Sequence, residues 1–207
     1  MRKFIIYAVA MATMGATSAH AMGCSKPKFT KQEMQVISPD RLNQKLFSSA
    51  ATKVTNYYRC RAGKPKLKEI HGLRQAAADH SRKMARTGGN KARHYGSLKP
   101  RYRKEGIKAK VMAENVGLDA RLNYGRTPFI ARNSQSCAYV FHDSKSPIPQ
   151  HSYASLATRM VALWVKSPGH KQNIMHPRIR KIGNGIGYSR RTSQPCGGYY
   201  LTQNLAD

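Results

Sequence analysis

At 207 residues with 40% hydrophobic content, the chain is sized for one ordinary domain with one core. Its 37 Lys+Arg against 9 Asp+Glu give a net charge of +28, a field that attracts nucleic acid, acidic glycans, envelope polymers or anionic lipid and disfavours cationic partners. Past the first residues nothing approaches the roughly 18 uninterrupted apolar residues of a membrane helix, so no helix there is expected to cross a membrane.

The start, "MRKFIIYAVAMATMGATSAHA", has two cations, an apolar run from Phe4 to about Ala16 and a small-x-small ending at Ala19-His20-Ala21. It reads as a secretory signal peptide over residues 1–21, so the chain is expected to be secreted or periplasmic. Losing Arg2 and Lys3 with it takes the charge from +28 to about +26. "AMGC" also loosely resembles a lipoprotein acylation site at Cys24, an alternative to a free mature end. In an oxidising compartment the even set Cys24, Cys60, Cys137 and Cys196 reads as two disulfides rather than metal ligands. Three pairings are open; Cys24 with Cys60 and Cys137 with Cys196 is favoured, each joining a loop or terminus to a structured element.

After an N-terminal segment, 22–38, the main domain spans 39–207. Leu42, Leu46, Ala50, Val54 and Tyr57/Tyr58 recur at helical spacing and predict a helix over 39–58. Gly63 and Pro65 break it. Leu73, Ala76, Ala77, His80 and Met84 predict a second helix over 72–86, with His80 on the apolar stripe as a hydrogen-bonded core histidine. A basic loop over 87–106 carries His94, and "VMAENVG" then sets Glu114 among apolar neighbours. A carboxylate in such a segment needs a partner, because burying it unpaired costs several kcal/mol or shifts its protonation.

Residues 118–151 show no sustained period and read as an irregular insertion stapled through Cys137. Tyr153, Leu156, Ala157, Met160, Val161 and Trp164 then form a full core stripe ending before Pro168. "WVKSPGHKQNIMHP" follows, where His170 opens a new turn and either faces a cleft beside Glu114 or ties down the helix exit. "IGNGIGYSRR" and "GYYLTQNL" alternate like strands and predict a terminal antiparallel hairpin.

Charge is uneven along this order. Residues 86–110 hold nine cations and one acid, and residues 144–206 hold no acid. Arg101, Arg103 and Lys104, with Arg178, Arg180 and Lys181, are therefore the candidate polyanion contacts. Aromatic residues do not interleave with these runs as in a nucleic-acid module, so an anionic envelope polymer, glycan, lipid surface or host ligand is the expected partner ahead of nucleic acid.

"AAADHSRKMA", His94, "AENVG", "WVKSPGHKQNIMHP", "IGNGIGYS" and "YYLTQNLAD", in that order, resemble the bacterial branch of the CAP superfamily. This is the SCP-like group related to plant pathogenesis-related proteins, venom allergens and cysteine-rich secretory proteins. The resemblance implies an α+β fold: a three-layer α-β-α sandwich with a small antiparallel sheet between helices and a cleft over one face. It also implies a cleft set of two histidines and two glutamates that holds a divalent cation in some members. His94 matches the first histidine and Glu114 the "GEN" glutamate, with Ala113 in place of glycine. Ser167 stands at the "WxxE" glutamate and Tyr200 at the "HYTQ" histidine. The candidate cleft is thus His94, Glu114, Ser167, His170 and Tyr200. Any zinc or magnesium would rest on His94, Glu114 and His170 and is expected to bind weakly, since zinc takes four ligands, or three and a water. With no persuasive nucleophilic triad, a binding domain is the leading expectation and a weakly metal-assisted hydrolase using the same cleft the alternative.

Overall fold

The computed structural model describes residues 23–207; the signal-peptide reading falls on residues outside that range. Helix α1 (Gln44–Arg61) begins where the Asn43 side chain accepts the Leu46 amide proton, a cap that sets the start later than the apolar period implies. It runs on to Arg61, with Gly63 just beyond at a positive φ of 64°. A two-residue strand β1 (Lys68–Glu69) precedes α2 (His71–Thr87), which ends on Gly88.

The basic loop hides a seven-residue helix, α3 (Leu98–Lys104), whose one buried residue is Tyr102. Strand β2 (Met112–Ala120) carries Glu114, and the irregular stretch contains a separate hairpin, β3 (Phe129–Asn133) with β4 (Ala138–Phe141). Helix α4 (Tyr153–Lys166) opens on a Ser152/Ser155 capping box. A further helix, α5 (Pro168–Met175), stands where only a turn was expected, and β5 (Lys181–Ser189) and β6 (Gly198–Ala206) close the chain.

The strands order β1-β5-β6-β2. β2, β6 and β5 are antiparallel neighbours, the expected small antiparallel sheet, and β1 adds a two-residue parallel edge. Helix α2 lies on one face and α1 and α4 on the other, giving three layers. Gly183, Gly185 and Gly187 form a stripe on β5 under α2: a Cβ at any of them would come within 3.0 Å of α2 backbone atoms. The missing side chains let helix and strand backbones touch, and they explain the spacing of "IGNGIG".

On the opposite face Phe47, Ala50, Val54, Leu156, Met160, Val161, Trp164, Ile186 and Leu201 make the main core. Beyond β1 the free edge of β5 is satisfied by α1 side chains: Ser48 Oγ accepts the Asn184 amide proton at 3.0 Å, and the Gln44 amide exchanges two bonds with Ile186. The N-terminal segment is fastened through buried Glu33, which bonds Ser49 Oγ at 2.8 Å and Lys53 Nζ at 2.6 Å. Disulfides join Cys24 to Cys60 and Cys137 to Cys196, the expected pairing. Among the described residues no helix is long and apolar enough to cross a membrane.

Candidate functional site

Glu114 and Asn204 are register partners on β2 and β6. Side chains alternate along a strand, so Glu114 shares the α2 side of the sheet with Val116, which packs on Met84, while Asn115 and Gly117 face α5 and α4. The Glu114 carboxylate is 3% exposed. Its Oε1 accepts from His94 Nδ1 at 2.9 Å and from Arg101 Nη2 at 2.9 Å. Its Oε2 accepts from Arg101 Nη1 at 2.5 Å. With the Asn204 amide oriented to accept from the Ala77 amide at 3.0 Å, its nitrogen donates to Oε2 at 3.1 Å. The resulting fork-on-fork pair is the strong form of an Arg–carboxylate contact. Burial works to raise the Glu114 pKa, but Arg101 and the two nearby histidines outweigh it and hold the carboxyl below its ordinary value.

Three of these partners were not singled out from the sequence as belonging with Glu114. In sequence Arg101 stands among candidate surface cations; α3 turns it inward, and its guanidinium is committed to an internal ion pair with Glu114. Asn204 lies on a strand where polar and apolar residues are equally buried. His80 was expected to be a hydrogen-bonded core histidine, and it is: its Nε2 accepts the Tyr95 amide proton at 3.0 Å, so the ring proton sits on Nδ1 and is donated to Thr202 Oγ1 at 3.0 Å. The same Nδ1 lies 3.6 Å from Glu114 Oε2. Burial lowers the His80 pKa to about 4, leaving it neutral at physiological pH.

His94 is the exposed member, its side chain 56% accessible. With Nδ1–H given to Glu114, its Nε2 has no protein partner among the described residues. His170 approaches from the other side of the β2 edge. Its backbone carbonyl accepts from Asn115 Nδ2 at 3.2 Å, and its ring pKa is lowered by burial and by the neighbouring His94 charge. It makes no side-chain hydrogen bond to Glu114. Ser167 ends α4 and caps α5, its carbonyl accepting the Lys171 amide proton at 2.8 Å, with Pro168 at the first helical position.

Tyr200, expected to line the cleft, sits elsewhere. It pairs with Leu118, four residues from Asn204 and so about 13 Å along the strand. It is fully buried against Met84 and Val116, with its hydroxyl donating to the Gly89 carbonyl.

A buried chain of amides fixes α5 to the sheet. Asn184 on β5 bonds Thr52 Oγ1 at 3.1 Å and accepts from Gln203 at 3.2 Å; Gln203 accepts from Asn115 at 3.0 Å, and Asn115 accepts from Asn173 on α5 at 2.8 Å. Asn173 also donates to the Glu114 carbonyl at 3.3 Å, and Trp164 Nε1 to the Val116 carbonyl at 3.0 Å. These bonds occupy the outer carbonyls of edge strand β2.

The donor set does not fit a resident cation. Among the described residues no group of three or more His, Cys, Asp or Glu is placed to hold one. Both oxygens of the single carboxylate are taken by a guanidinium whose fixed charge opposes a metal, and His80 offers no free nitrogen lone pair. Of the remaining nominated cations, Lys104 lies 3.5 Å from Asp79, Arg178 pairs with Asp207 at 3.0 Å, and Lys181 Nζ and Arg180 Nη1 bond backbone carbonyls. Arg103 is exposed. A concavity of about 720 Å³ follows the outer face of α4 past Met34 and Leu163, away from Glu114.

A family model described as the cysteine-rich secretory protein family, CAP, matches residues 52–205. No curated protein matches the chain. Among solved structures, an outer surface protein from Borrelia burgdorferi is similar at 13% identity and a TM-score of 0.53, covering 80% of this chain and 96% of that one. An extracellular SCP-domain protein from Bacillus anthracis is similar at 18% identity and a TM-score of 0.48, covering 83% of this chain and 44% of the other. A cysteine-rich secretory protein from Staphylococcus aureus shows 15% identity and a TM-score of 0.45, covering 77% and 38%. This chain thus spans less than half the length of those last two proteins. With the family model matching well over half of its residues, on an α-β-α sandwich with the fold of that group, the chain belongs to the CAP family.

Proposed function

We propose that the protein is a secreted or periplasmic CAP-type binding domain that engages an anionic envelope or host ligand, a polymer, glycan or lipid surface, through its basic surface and the His94 rim. The observation that carries the reading is the state of Glu114. Arg101 neutralises it and every strong acceptor position on it is filled, so the site presents the His94 imidazole rather than a free carboxylate. The acid-poor second half leaves a field that recruits counter-charge.

A hydrolase built on His94, Glu114 and His170 would need Glu114 as base or metal ligand. A depressed pKa makes it a weaker base, and any zinc or magnesium would have to displace Arg101. Both count for binding over hydrolysis.

The test uses duplex DNA as a generic polyanion. Affinity is expected to fall linearly in log salt, and each contacting cation removed is expected to lower the slope by about one unit. The informative pair is Arg103→Ala with Lys104→Ala, compared with Arg180→Ala and Lys181→Ala; Arg101 is kept because it holds Glu114. Equal affinity at low and high salt would overturn the reading.

A further inference from the structure

A cluster of arginines lies away from Glu114, where α2 ends against the exit of β5. Arg82 and Arg86 stand one turn apart on α2, and Arg190 and Arg191 follow β5 directly. All four line one groove of about 520 Å³. Only Arg82 has an acidic partner, Asp79 at 2.5 Å; among the described residues Arg86, Arg190 and Arg191 make no ion pair.

The grouping is built by hydrogen bonds from backbone amides to a carbonyl and to two side-chain oxygens. The Gly89 amide donates to the Arg191 carbonyl at 2.6 Å, the Ser193 amide to Asn90 Oδ1 at 2.5 Å, and the Arg191 amide to Ser189 Oγ at 3.2 Å. Gly88, at φ +71°, lets this happen: a Cβ there would lie 2.8 Å from Arg191 Cβ and 2.9 Å from its carbonyl oxygen. The exit of α2 is thus laced to the exit of β5, which holds Arg191 beside Arg86.

Among the described residues, three of the four guanidinium groups lining the groove have no acid to match them, so an oxyanion is what the arrangement lacks. All four are arginine, and the guanidinium fork matches the oxygen pairs of phosphate or sulfate where an ammonium does not. The rest of the lining is not basic. Pro39, Leu42 and the half-buried Tyr188 form the wall, with the Tyr188 hydroxyl fixed on the Cys196 carbonyl at 2.6 Å. An anchored aromatic beside arginines offers an apolar face to a sugar ring, and the volume suits a small ligand.

We infer that this groove is a binding site for a phosphate or sulfate monoester carried on a sugar, the unit by which the domain grips an acidic glycan. The inference rests on the anionic-ligand reading above and assigns it a place.

The probe is glucose 6-phosphate, titrated calorimetrically into the full mature chain at about 0.15 M salt, where long-range attraction is screened. Saturable one-to-one binding is expected, with none for glucose. Arg86→Ala with Arg191→Ala is expected to weaken it about 100-fold or more, since each charge-assisted bond is worth about tenfold or above. Arg86→Lys with Arg191→Lys keeps the charge and is still expected to lose about tenfold. Lys31→Ala with Lys66→Ala removes equal charge elsewhere and is expected to change nothing. Phosphatidylglycerol vesicles test the lipid source of the same chemistry. Binding to vesicles but not to glucose 6-phosphate, or lysine variants that bind like the native protein, would overturn the site. Failure with glucose 6-phosphate alongside salt-dependent DNA binding would overturn the groove and leave the broader reading standing; failure with both would overturn the two together.

Discussion

Acidification from pH 7 to pH 4 is expected to cost the folded state on the order of 6 kcal/mol, about 3 from each of two buried histidines. Burial lowers both His80 and His151 to about 4 from an ordinary value of 6.5. His80 is held neutral between Tyr95 and Thr202. His151 bonds Ser155 Oγ at 2.9 Å, and its Nε2 is buried with no hydrogen-bond partner among the described residues. Below pH 6.5 the unfolded chain takes up protons at these rings while the folded chain does not until about pH 4. Stability is therefore full above about pH 6.5 and falls steadily to about pH 4. A domain of ordinary stability, roughly 5–15 kcal/mol, would be close to unfolding at the lower end. Glu114 extends the loss: its folded pKa lies below the unfolded one, so its contribution is present above the ordinary carboxyl range and disappears as pH falls through the lower, folded value. Urea midpoints measured across this range check the expectation. A midpoint that stays level between pH 7 and pH 5 would contradict it.

Glu114→Gln is expected to destabilise the protein by about 3 kcal/mol, the low end for breaking a buried pair, because Arg101 is 20% exposed and keeps some access to water. Glutamine offers one acceptor oxygen where the carboxylate offers two, and its amino group would point at the donors of Arg101 or Asn204. Arg101→Met alone leaves Glu114 buried beside neutral His80 and is expected to cost a similar amount. The double variant carries no stranded charge and should lose less than the sum of the singles. Chemical unfolding of the four proteins completes the cycle. Additive losses, or singles within about 0.5 kcal/mol of the native protein, would show that the pair does not hold α3 to β2.

Which parts of this structure are legible in the sequence follows from periodicity. Helices α1, α2 and α4 each bury a stripe of apolar residues, and the β5–β6 hairpin shows its glycine alternation, so pattern alone finds them. Helix α3 is seven residues long with only Tyr102 fully inside, too little for a period to emerge. Helix α5 buries only Ile174 and opens with Pro168-Gly169, which read as a turn. Strand β1 exists only because Lys68 and Glu69 meet Lys181 and Ile182, a long-range pairing that two residues cannot announce.

The same division holds at the site. Glu114 stood out because a carboxylate among apolar residues demands a partner. Its partner, Arg101, is one of four basic residues in a short run, and only the docking of α3 distinguishes it from Arg103. Tyr200 came from matching a motif position. The strand register sets it four residues from Asn204, and it is buried against Met84 and Val116. The arginine groove joins residues about a hundred positions apart through backbone bonds that have no sequence pattern.

The proposed anion binding rests on a carboxylate, Glu114, that Arg101 already neutralises from within. A paired calorimetric titration of the protein at low salt, with zinc and with inorganic polyphosphate, tests both parts. Saturable binding of polyphosphate that weakens as salt is raised is expected, with no zinc binding dependent on Glu114. Stoichiometric zinc binding that disappears in Glu114→Gln, together with no response to polyphosphate, would contradict it.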